Sequence, residues 1–225
     1  LRLNAKLAGT TSRFLTALCS LRAGVTTIDG DEPLQTRPMH DLHSALRDLG
    51  AHVSSISNDG FLPVRVSRGA QWQAKVAVRA NMSSQFTSAL MMIAPRLPSG
   101  LEIVLSQDVV SRGYIEMTVG VMRAFGANTD FSDNQIWVNP GEYQGTNFTV
   151  EPDASSASYP LGAVAISGGS VTIAGLSRNS LQGDVEFIDL LARMGCDVSE
   201  SRDGLSLNRD RERPLRGVEV NMSQI

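Results

Sequence analysis

A motif that contains two adjacent hydroxyl residues occurs three times along the chain, and each copy opens an apolar stretch long enough for a helix. The segments AGTTSRFLTAL, NMSSQFTSAL and DASSASYPLGAVAI align so that Ser12, Ser84 and Ser156 are equivalent, with 72 residues between successive copies. A fixed period of this kind indicates a repeated supersecondary unit. We therefore expect three copies of one unit, with each hydroxyl pair capping its helix.

The segments that follow each motif also recur. A β-rich run comes first, as VTTIDGD, LEIVLSQD and SVTIAGLS, and a second amphipathic helix ends at Gly50, Gly126 and Gly195. Glycine favours that position because it accepts a positive φ. Two strands then close the unit, and a strand precedes the first helix as KVAVRA in the second copy and TNFTVEP in the third. The pattern predicts an α/β fold of β-α-β-α-β-β units, whose helices pack inward against one another beneath outer sheets.

Composition limits the classes of protein that the chain can represent. The net charge of −3 gives no support for nucleic-acid binding. No apolar run approaches the roughly 20 residues that span a bilayer, and no signal-peptide pattern opens the chain, so we expect a cytoplasmic protein. Cys19 and Cys196 lie in apolar segments without a nearby partner and are interpreted as buried free thiols. His40 and His43 lack a third metal ligand and are interpreted as surface and boundary residues, and no metal site is predicted.

Familiar catalytic motifs are absent, which leaves the helix starts as the candidate sites. Free backbone N–H groups at a helix start attract phosphate and carboxylate, although hydroxyl residues there also act as simple caps. The first start carries Gly9, Thr10 and Arg13, and the second carries Ser83, Ser84 and Gln85. The second helices begin near Arg37 in the first copy, Ser111 and Tyr114 in the second, and Arg178 and Asn179 in the third. Anion binding and solvated surface side chains both remain open at this point.

These segments together resemble the enolpyruvyl transferase family, in the branch that acts on shikimate-3-phosphate. The resemblance rests on LAGTTSRFLTAL, DGDEPLQTRPMHDLHSALRDLGA, SSQFTSALMMIAP, DVVSRGYIEMT, VEPDASSASY and SRNSLQGD, which follow the family's order across nearly the whole chain. It implies two domains of three units each. Residues 1–148 would be two units of the upper domain, 149–153 the hinge, and 154–225 the first unit of the lower domain.

The resemblance also implies a reaction and a set of binding residues. The enolpyruvyl group of phosphoenolpyruvate would move to the 5-hydroxyl of shikimate-3-phosphate, without metal or cofactor. Shikimate-3-phosphate would be bound by Ser83, Ser84, Gln85, Ser111 and Tyr114. Phosphoenolpyruvate would be bound by Gly9, Arg37 and Gln85, with Thr10 and Arg13 in support.

The family's opening unit is expected before Leu1 and its general base just after Ile225, so no catalytic residue is assigned within the chain. We accordingly expect little or no transferase activity from this chain alone, and self-association of the chain is an open possibility. Two alternatives remain. One is a non-catalytic three-unit domain that binds anions or a partner. The other is the sister transferase that acts on a UDP-sugar, which the Ser-Ser-Gln and Ser-x-x-Tyr pairings disfavour.

Overall fold

The structure, a computed structural model, describes residues 1–79, 83–105 and 112–221. The chain divides into two compact units, Leu1–Thr146 and Asn147–Ile225. The first unit holds the first two repeats, and the second unit holds the third. The hinge at 149–153 and the assignment of the units to an upper and a lower domain stay predictions.

The first repeat is a four-stranded mixed sheet with its helices. Its elements are β1 (Arg2–Asn4), α1 (Gly9–Ser20), β2 (Thr26–Asp29), α2 (Glu32–Gln35), α3 (His40–Asp48), β3 (His52–Ser55) and β4 (Val64–Ser67). The strand order is β1-β2-β4-β3, with β1 parallel to β2 and the other neighbours antiparallel. Val64 and Val66 are buried while Arg65 between them is exposed, which is the alternation of a sheet with one covered face.

The second repeat has the same topology. Its elements are β5 (Lys75–Val78), α4 (Ser84–Ile93), β6 (Leu101–Leu105), α5 (Arg112–Ala124), β7 (Thr129–Ser132) and β8 (Gln135–Val138). The strand order is β5-β6-β8-β7, and again only the first pair is parallel. The first two repeats therefore share strand order and strand direction, and the predicted succession of helices and strands is confirmed in both.

The helices of the first unit pack inward, as predicted. Helix α4 contacts α1 on one side and α5 on the other, and seven of its ten residues are buried. A helix that is apolar on nearly all sides is stable only inside a core. The hydroxyls of Ser88 and Thr118 lie 2.8 Å apart across the α4–α5 contact. This hydrogen bond fixes the two helices against each other.

The third repeat differs from the prediction at its first strand. Its elements are α6 (Ala154–Ser167), β9 (Gly169–Ala174), α7 (Phe187–Arg193), β10 (Asp197–Ser201) and β11 (Gly204–Arg209), in an antiparallel sheet of order β10-β11-β9. The segment TNFTVEP forms no strand, so that prediction was wrong. Pro152 has no N–H for a sheet ladder, and Val150 is 80% exposed rather than packed on a core.

The glycines after the second helices adopt the predicted left-handed conformation. The φ angles are 103° at Gly50, 83° at Gly126 and 110° at Gly195. At Gly50 a Cβ atom would also lie 2.1 Å from the carbonyl oxygen of Gln71. Glycine is thus required there by both conformation and space.

The histidine interpretation was wrong for one of the two residues. His40 is exposed, with Nδ1 3.8 Å from an Asp59 oxygen, whereas His43 is fully buried. The apolar stripe of α3 is wide enough to include position 43, one turn after Met39 and one before Leu46. Neither ring nitrogen of His43 has a hydrogen-bond partner among the described residues. Burial, and next the charge of Arg47, lower the pKa of His43 to about 4.

Both cysteines are free and buried, as predicted.

Candidate functional site

The three equivalent helix starts are capped in three different ways. Helix α4 is capped by Ser83, whose Oγ accepts a hydrogen bond from the Gln85 N–H at 3.3 Å. Helix α6 is capped by Asp153, which accepts from the Ser156 N–H at 3.0 Å. Helix α1 follows Ala8, which offers no capping side chain. The predicted hydroxyl cap is therefore confirmed in α4 alone.

In α1 the hydroxyl pair lies inside the first turn and leaves the start of the helix uncapped. Ser12 is buried, and its Oγ donates to the carbonyl oxygen of Gly9 at 2.8 Å instead of accepting from the helix start. The first hydrogen bond of the helix ladder joins the Ser12 N–H to Ala8 at 3.0 Å. The N–H groups of residues 9–11 precede that bond, so they are available to an acceptor. The hydroxyl residues Thr10 and Thr11 are exposed beside them.

Arg37 lies directly beside this uncapped start. Its Nη1 atom is 3.1 Å from the point where a Cβ would stand on Gly9. The side chain of Arg37 forms no hydrogen bond or ion pair with any residue in the described ranges. A side chain larger than hydrogen at position 9 would therefore crowd the Arg37 guanidinium, and glycine leaves room for it.

The turn that carries Arg37 is held by its own hydrogen bonds. Leu34 is buried in the short helix α2, and its carbonyl accepts from the Arg37 N–H at 3.1 Å. The Gln35 side chain donates at 2.9 Å to both Asp29 and the carbonyl of Gly30. These contacts tie Arg37 to the end of β2.

Arg13, one turn into α1, reaches across to α4. Its Nη1 donates a short hydrogen bond to Oε1 of Gln85, and its guanidinium lies 5.1 Å from the centre of the Phe86 ring. The same Nη1 is 3.8 Å from the Cβ point of Gly9. Burial, and next the neighbouring charge of Arg37, lower the pKa of Arg13. Two cations thus lie close together, and no carboxylate pairs with either of them among the described residues.

The structure brings together four of the predicted residues, namely Gly9, Arg13, Arg37 and Gln85, and we call this set the donor cluster. Ser83 and Ser84 are half-buried at the start of α4, next to Gln85. Tyr114 is 46% exposed in the first turn of α5, and its hydroxyl has no partner within the described part of the chain. Ser111 lies outside the described residues.

Sequence reasoning missed Phe86, whose buried ring supports Arg13. It also missed the contact between Arg13 and Gln85. The signal was available, since these residues are equivalent in the first two repeats and lie 72 positions apart.

The corresponding place in the second unit is occupied by the protein's own carboxylates. The backbone N–H of Ser156, followed by its hydroxyl, lowers the pKa of the capping Asp153. Arg178, which the sequence offered as a candidate anion ligand, is paired with Asp189 instead. Asn179 donates its backbone N–H to Ser177 at 3.1 Å.

Two absences hold for the described residues. No group of His, Cys, Asp or Glu side chains there could hold a metal ion. None of the described helices combines the length and the apolar composition of a membrane span.

Comparison with known proteins gives one consistent family. The model of the family described as EPSP synthase (3-phosphoshikimate 1-carboxyvinyltransferase) matches residues 1–225. The 3-phosphoshikimate 1-carboxyvinyltransferase of Methanothermobacter thermautotrophicus is 41% identical over 215 residues, which cover 96% of this chain and 50% of the relative. The enzyme of the same name from Bacteroides fragilis is 40% identical over 205 residues, covering 90% of this chain and 50% of the relative.

Solved structures show the same fold. An EPSP synthase from Acinetobacter baumannii superposes with a TM-score of 0.75 at 24% identity, covering 98% of this chain and 51% of that one. The enolpyruvyl transferase NikO from Streptomyces tendae gives a TM-score of 0.63 at 20% identity, covering 93% of this chain and 49% of that one. The chain therefore spans about half the length of the relatives it matches.

Proposed function

The chain belongs to the EPSP synthase family, and we propose that its first unit binds the two anionic substrates of enolpyruvyl transfer. The reaction is transfer of the enolpyruvyl group of phosphoenolpyruvate to the 5-hydroxyl of shikimate-3-phosphate. The name shared by the curated relatives supports this reaction. The contribution of this chain is to hold and orient the substrates.

The donor cluster is the observation that carries the proposal. Arg13 and Arg37 have no carboxylate partner within the described ranges, and the start of α1 beside them has no capping side chain. Two neighbouring cations that lack a counter-ion are costly in a folded protein, and an oxyanion would offset that cost. Guanidinium and helix-start N–H groups are also the donors that phosphate and carboxylate prefer.

Each predicted binding residue then has a role in the proposal. Gly9 and Arg37, with Gln85, bind phosphoenolpyruvate through backbone N–H, guanidinium and amide donors. Ser83, Ser84, Gln85, Ser111 and Tyr114 bind shikimate-3-phosphate, and Thr10 and Arg13 support the pair.

The donor cluster holds charge but does not exchange protons. Its side chains are two guanidiniums and a carboxamide, and none of these groups changes protonation near neutral pH. A preorganised donor site of this kind stabilises negative charge that develops during reaction. We propose that this chain alone binds substrate and has little or no transferase activity.

Calorimetric titration tests the proposal. Shikimate-3-phosphate is added to the chain, first alone and then with phosphoenolpyruvate present, and phosphate release is followed in parallel. Binding without turnover is the expected result. A Ser84→Ala variant should bind more weakly. Turnover at the rate of a full-length relative would contradict the assignment of this chain to binding alone, and no binding heat would contradict the substrate site.

Self-association forms a separate part of the proposal. Tyr159 and Ile166 on α6 are each 80% exposed, although this helix is apolar on most of its surface. A second copy of the chain would cover these side chains. Sedimentation of the wild-type chain against a Tyr159→Ser, Ile166→Ser variant tests this, because only the wild type should form dimers.

We further propose a cytoplasmic location. Cys19 and Cys196 are free and buried, and free thiols persist in the reducing cytoplasm. Fractionation of cells that produce the protein would test the location.

A further inference from the structure

Arg13 and Gln85 form a contact that the proposed binding roles do not require. They stand at equivalent positions of the first two repeats, and the hydrogen bond between them joins the start of α1 to the start of α4. The equivalent residue in the third repeat is Ala157, which is buried and has no polar group. The contact is therefore specific to the first unit.

The chemistry of this contact fixes the orientation of the Gln85 amide. A guanidinium has donors only, so the atom that faces Arg13 must be the amide oxygen. The Nε2 group, with two N–H donors, then points away from Arg13. An amide in the opposite orientation would place two donors against a cation and would be unfavourable.

Arg13 is itself held firmly enough to impose that orientation. Its guanidinium lies 5.1 Å from the centre of the Phe86 ring, and Phe86 is only 3% exposed. A planar cation over an aromatic face is stabilised by the ring's negative face. Phe86 also follows Gln85 directly in the first turn of α4, so Arg13 contacts two neighbouring side chains of the same helix.

We infer that Arg13 is a positioning residue. It holds the Gln85 carboxamide so that Nε2 donates a hydrogen bond to shikimate-3-phosphate. This inference rests on the proposed function of the donor cluster. In this arrangement Arg37 contacts phosphoenolpyruvate directly, while Arg13 affects substrate binding only through Gln85.

A double-mutant cycle separates positioning from direct binding. The variants are Arg13→Met, Gln85→Ala and the combination, with Arg96→Met as a control because Arg96 forms an exposed ion pair with Glu142. Binding of shikimate-3-phosphate to the whole chain is measured by calorimetry. Each single change at the donor cluster should weaken binding by about tenfold, the effect of losing one hydrogen bond to a charged group. The double variant should be no weaker than either single variant, and the control should bind as the wild type does.

The orientation of the amide is read independently of binding. The side-chain N–H signals of Gln85 are assigned in NMR spectra by their loss in Gln85→Ala. In the free wild-type chain they should be ordered, and in Arg13→Met they should become mobile. Arg13→Lys supplies a second variant, since it keeps the charge but lacks the planar fork that stacks on Phe86.

Three results would overturn the inference. The first is an equally ordered amide in Arg13→Met. The second is a double variant whose loss is the product of the single losses, which indicates that Arg13 binds the ligand directly. The third is wild-type binding by Arg13→Lys with a mobile amide. Absence of any binding by the wild type would instead overturn the proposed function, and the amide signals would still decide the positioning role.

Discussion

The starts of α1 and α6 occupy equivalent places in two repeats but differ in their acceptors. The start of α1 has no capping side chain, whereas the start of α6 is capped by a carboxylate of the protein itself. At α6, Asp153 accepts hydrogen bonds from both the N–H and the hydroxyl of Ser156, at 3.0 and 2.8 Å. At α1 the preceding residue is Ala8, and the nearest charged groups are Arg13 and Arg37. A helix start always offers donors. Whether they bind a ligand depends on whether the protein's own carboxylate already occupies them.

The same difference extends to the neighbouring arginines. Arg37 in the first unit has no partner in the described part of the chain, while Arg178 in the second is paired with Asp189. Glu151 also accepts hydrogen bonds from Ser180 at 2.5 Å and Gln182 at 3.2 Å. Near these helix starts, the first unit therefore has two arginines without a carboxylate partner among the described residues, whereas Arg178 of the second unit is paired with Asp189.

The two units should differ most in their stability towards acid. The pKa of buried His43 is lowered to about 4, below the value of an unfolded histidine. A lowered histidine pKa favours folding above the unfolded value near 6.5, and this stability is lost as pH falls from there to about 4. The loss is on the order of 2–4 kcal/mol, and replacement of His43 by Leu should remove it.

The second unit contains no histidine, so it should respond only at lower pH. The lowered pKa of Asp153 contributes stability above the unfolded value, which is lost as pH falls through the folded value. Amide hydrogen exchange at pH 7 and pH 5 measures each unit separately. Equal weakening of both units at pH 5, or an unchanged response in His43→Leu, would contradict this account.

The next effect tests the two arginines directly. Arg37→Met should weaken binding of phosphoenolpyruvate or inorganic phosphate by roughly 10- to 100-fold, because a hydrogen bond to a charged group is lost. The matched change Arg178→Met should leave binding unaltered, since Asp189 already neutralises that side chain. Calorimetry with both variants decides, and equal losses would show that the contrast between the units has no functional meaning.

A smaller effect is expected at the cap of α4. Ser83→Ala removes the oxygen that accepts from the Gln85 N–H, and cap loss costs about 1 kcal/mol of stability. The free energy of unfolding in urea measures this change. Thr10→Ala serves as a control, because the exposed Thr10 hydroxyl does not cap its helix. A similar loss in both variants would argue against a capping role for Ser83.

The smallest effect on binding is expected from replacing a glycine by alanine in each of two equivalent helices, α1 and α6. In Gly9→Ala the new Cβ would lie 3.1 Å from Arg37, so the guanidinium must shift by a few tenths of an ångström. Anion binding should weaken by a few-fold, with little change in stability. In Gly162→Ala, on α6, nothing lies within 4 Å of the new atom. That variant should gain about 0.5–1 kcal/mol from helix propensity, without any change in binding. Tighter binding by Gly9→Ala would contradict the proposed role of Arg37.

The repeat, the unit topology and the glycine ends of the helices were predictable because each depends on local pattern. Ser12, Ser84 and Ser156 set the period, and the succession of helices and strands follows from equivalent segments. Capping was poorly predicted by the alignment of the repeats. The alignment makes Ser12 and Ser84 equivalent, but in the structure Ser12 lies inside the first turn of α1 and Ser84 is the first residue of α4. Helix boundaries depend on tertiary contacts that the alignment does not contain.

Other features could not be predicted from the sequence, because they depend on tertiary contacts. The burial of His43 depends on the width of the apolar face that α3 presents to the core. The missing strand at TNFTVEP depends on whether a neighbouring strand pairs with it. The pairing of Arg178 depends on Asp189, and Glu151 contacts Ser180, 29 residues away in the sequence, whereas the cap Asp153 lies only three residues before Ser156.

A titration of the whole chain shows whether the first unit alone binds the substrates. Backbone amide signals of the labelled chain are followed in NMR spectra while shikimate-3-phosphate and then phosphoenolpyruvate are added. We expect saturable shifts at Gly9 and Gln85 in the starts of α1 and α4, and no shifts at Ala154–Ser156 in the start of α6. Shifts of equal size at both places, or shifts confined to α6, would contradict the claim that only the first unit binds the anion.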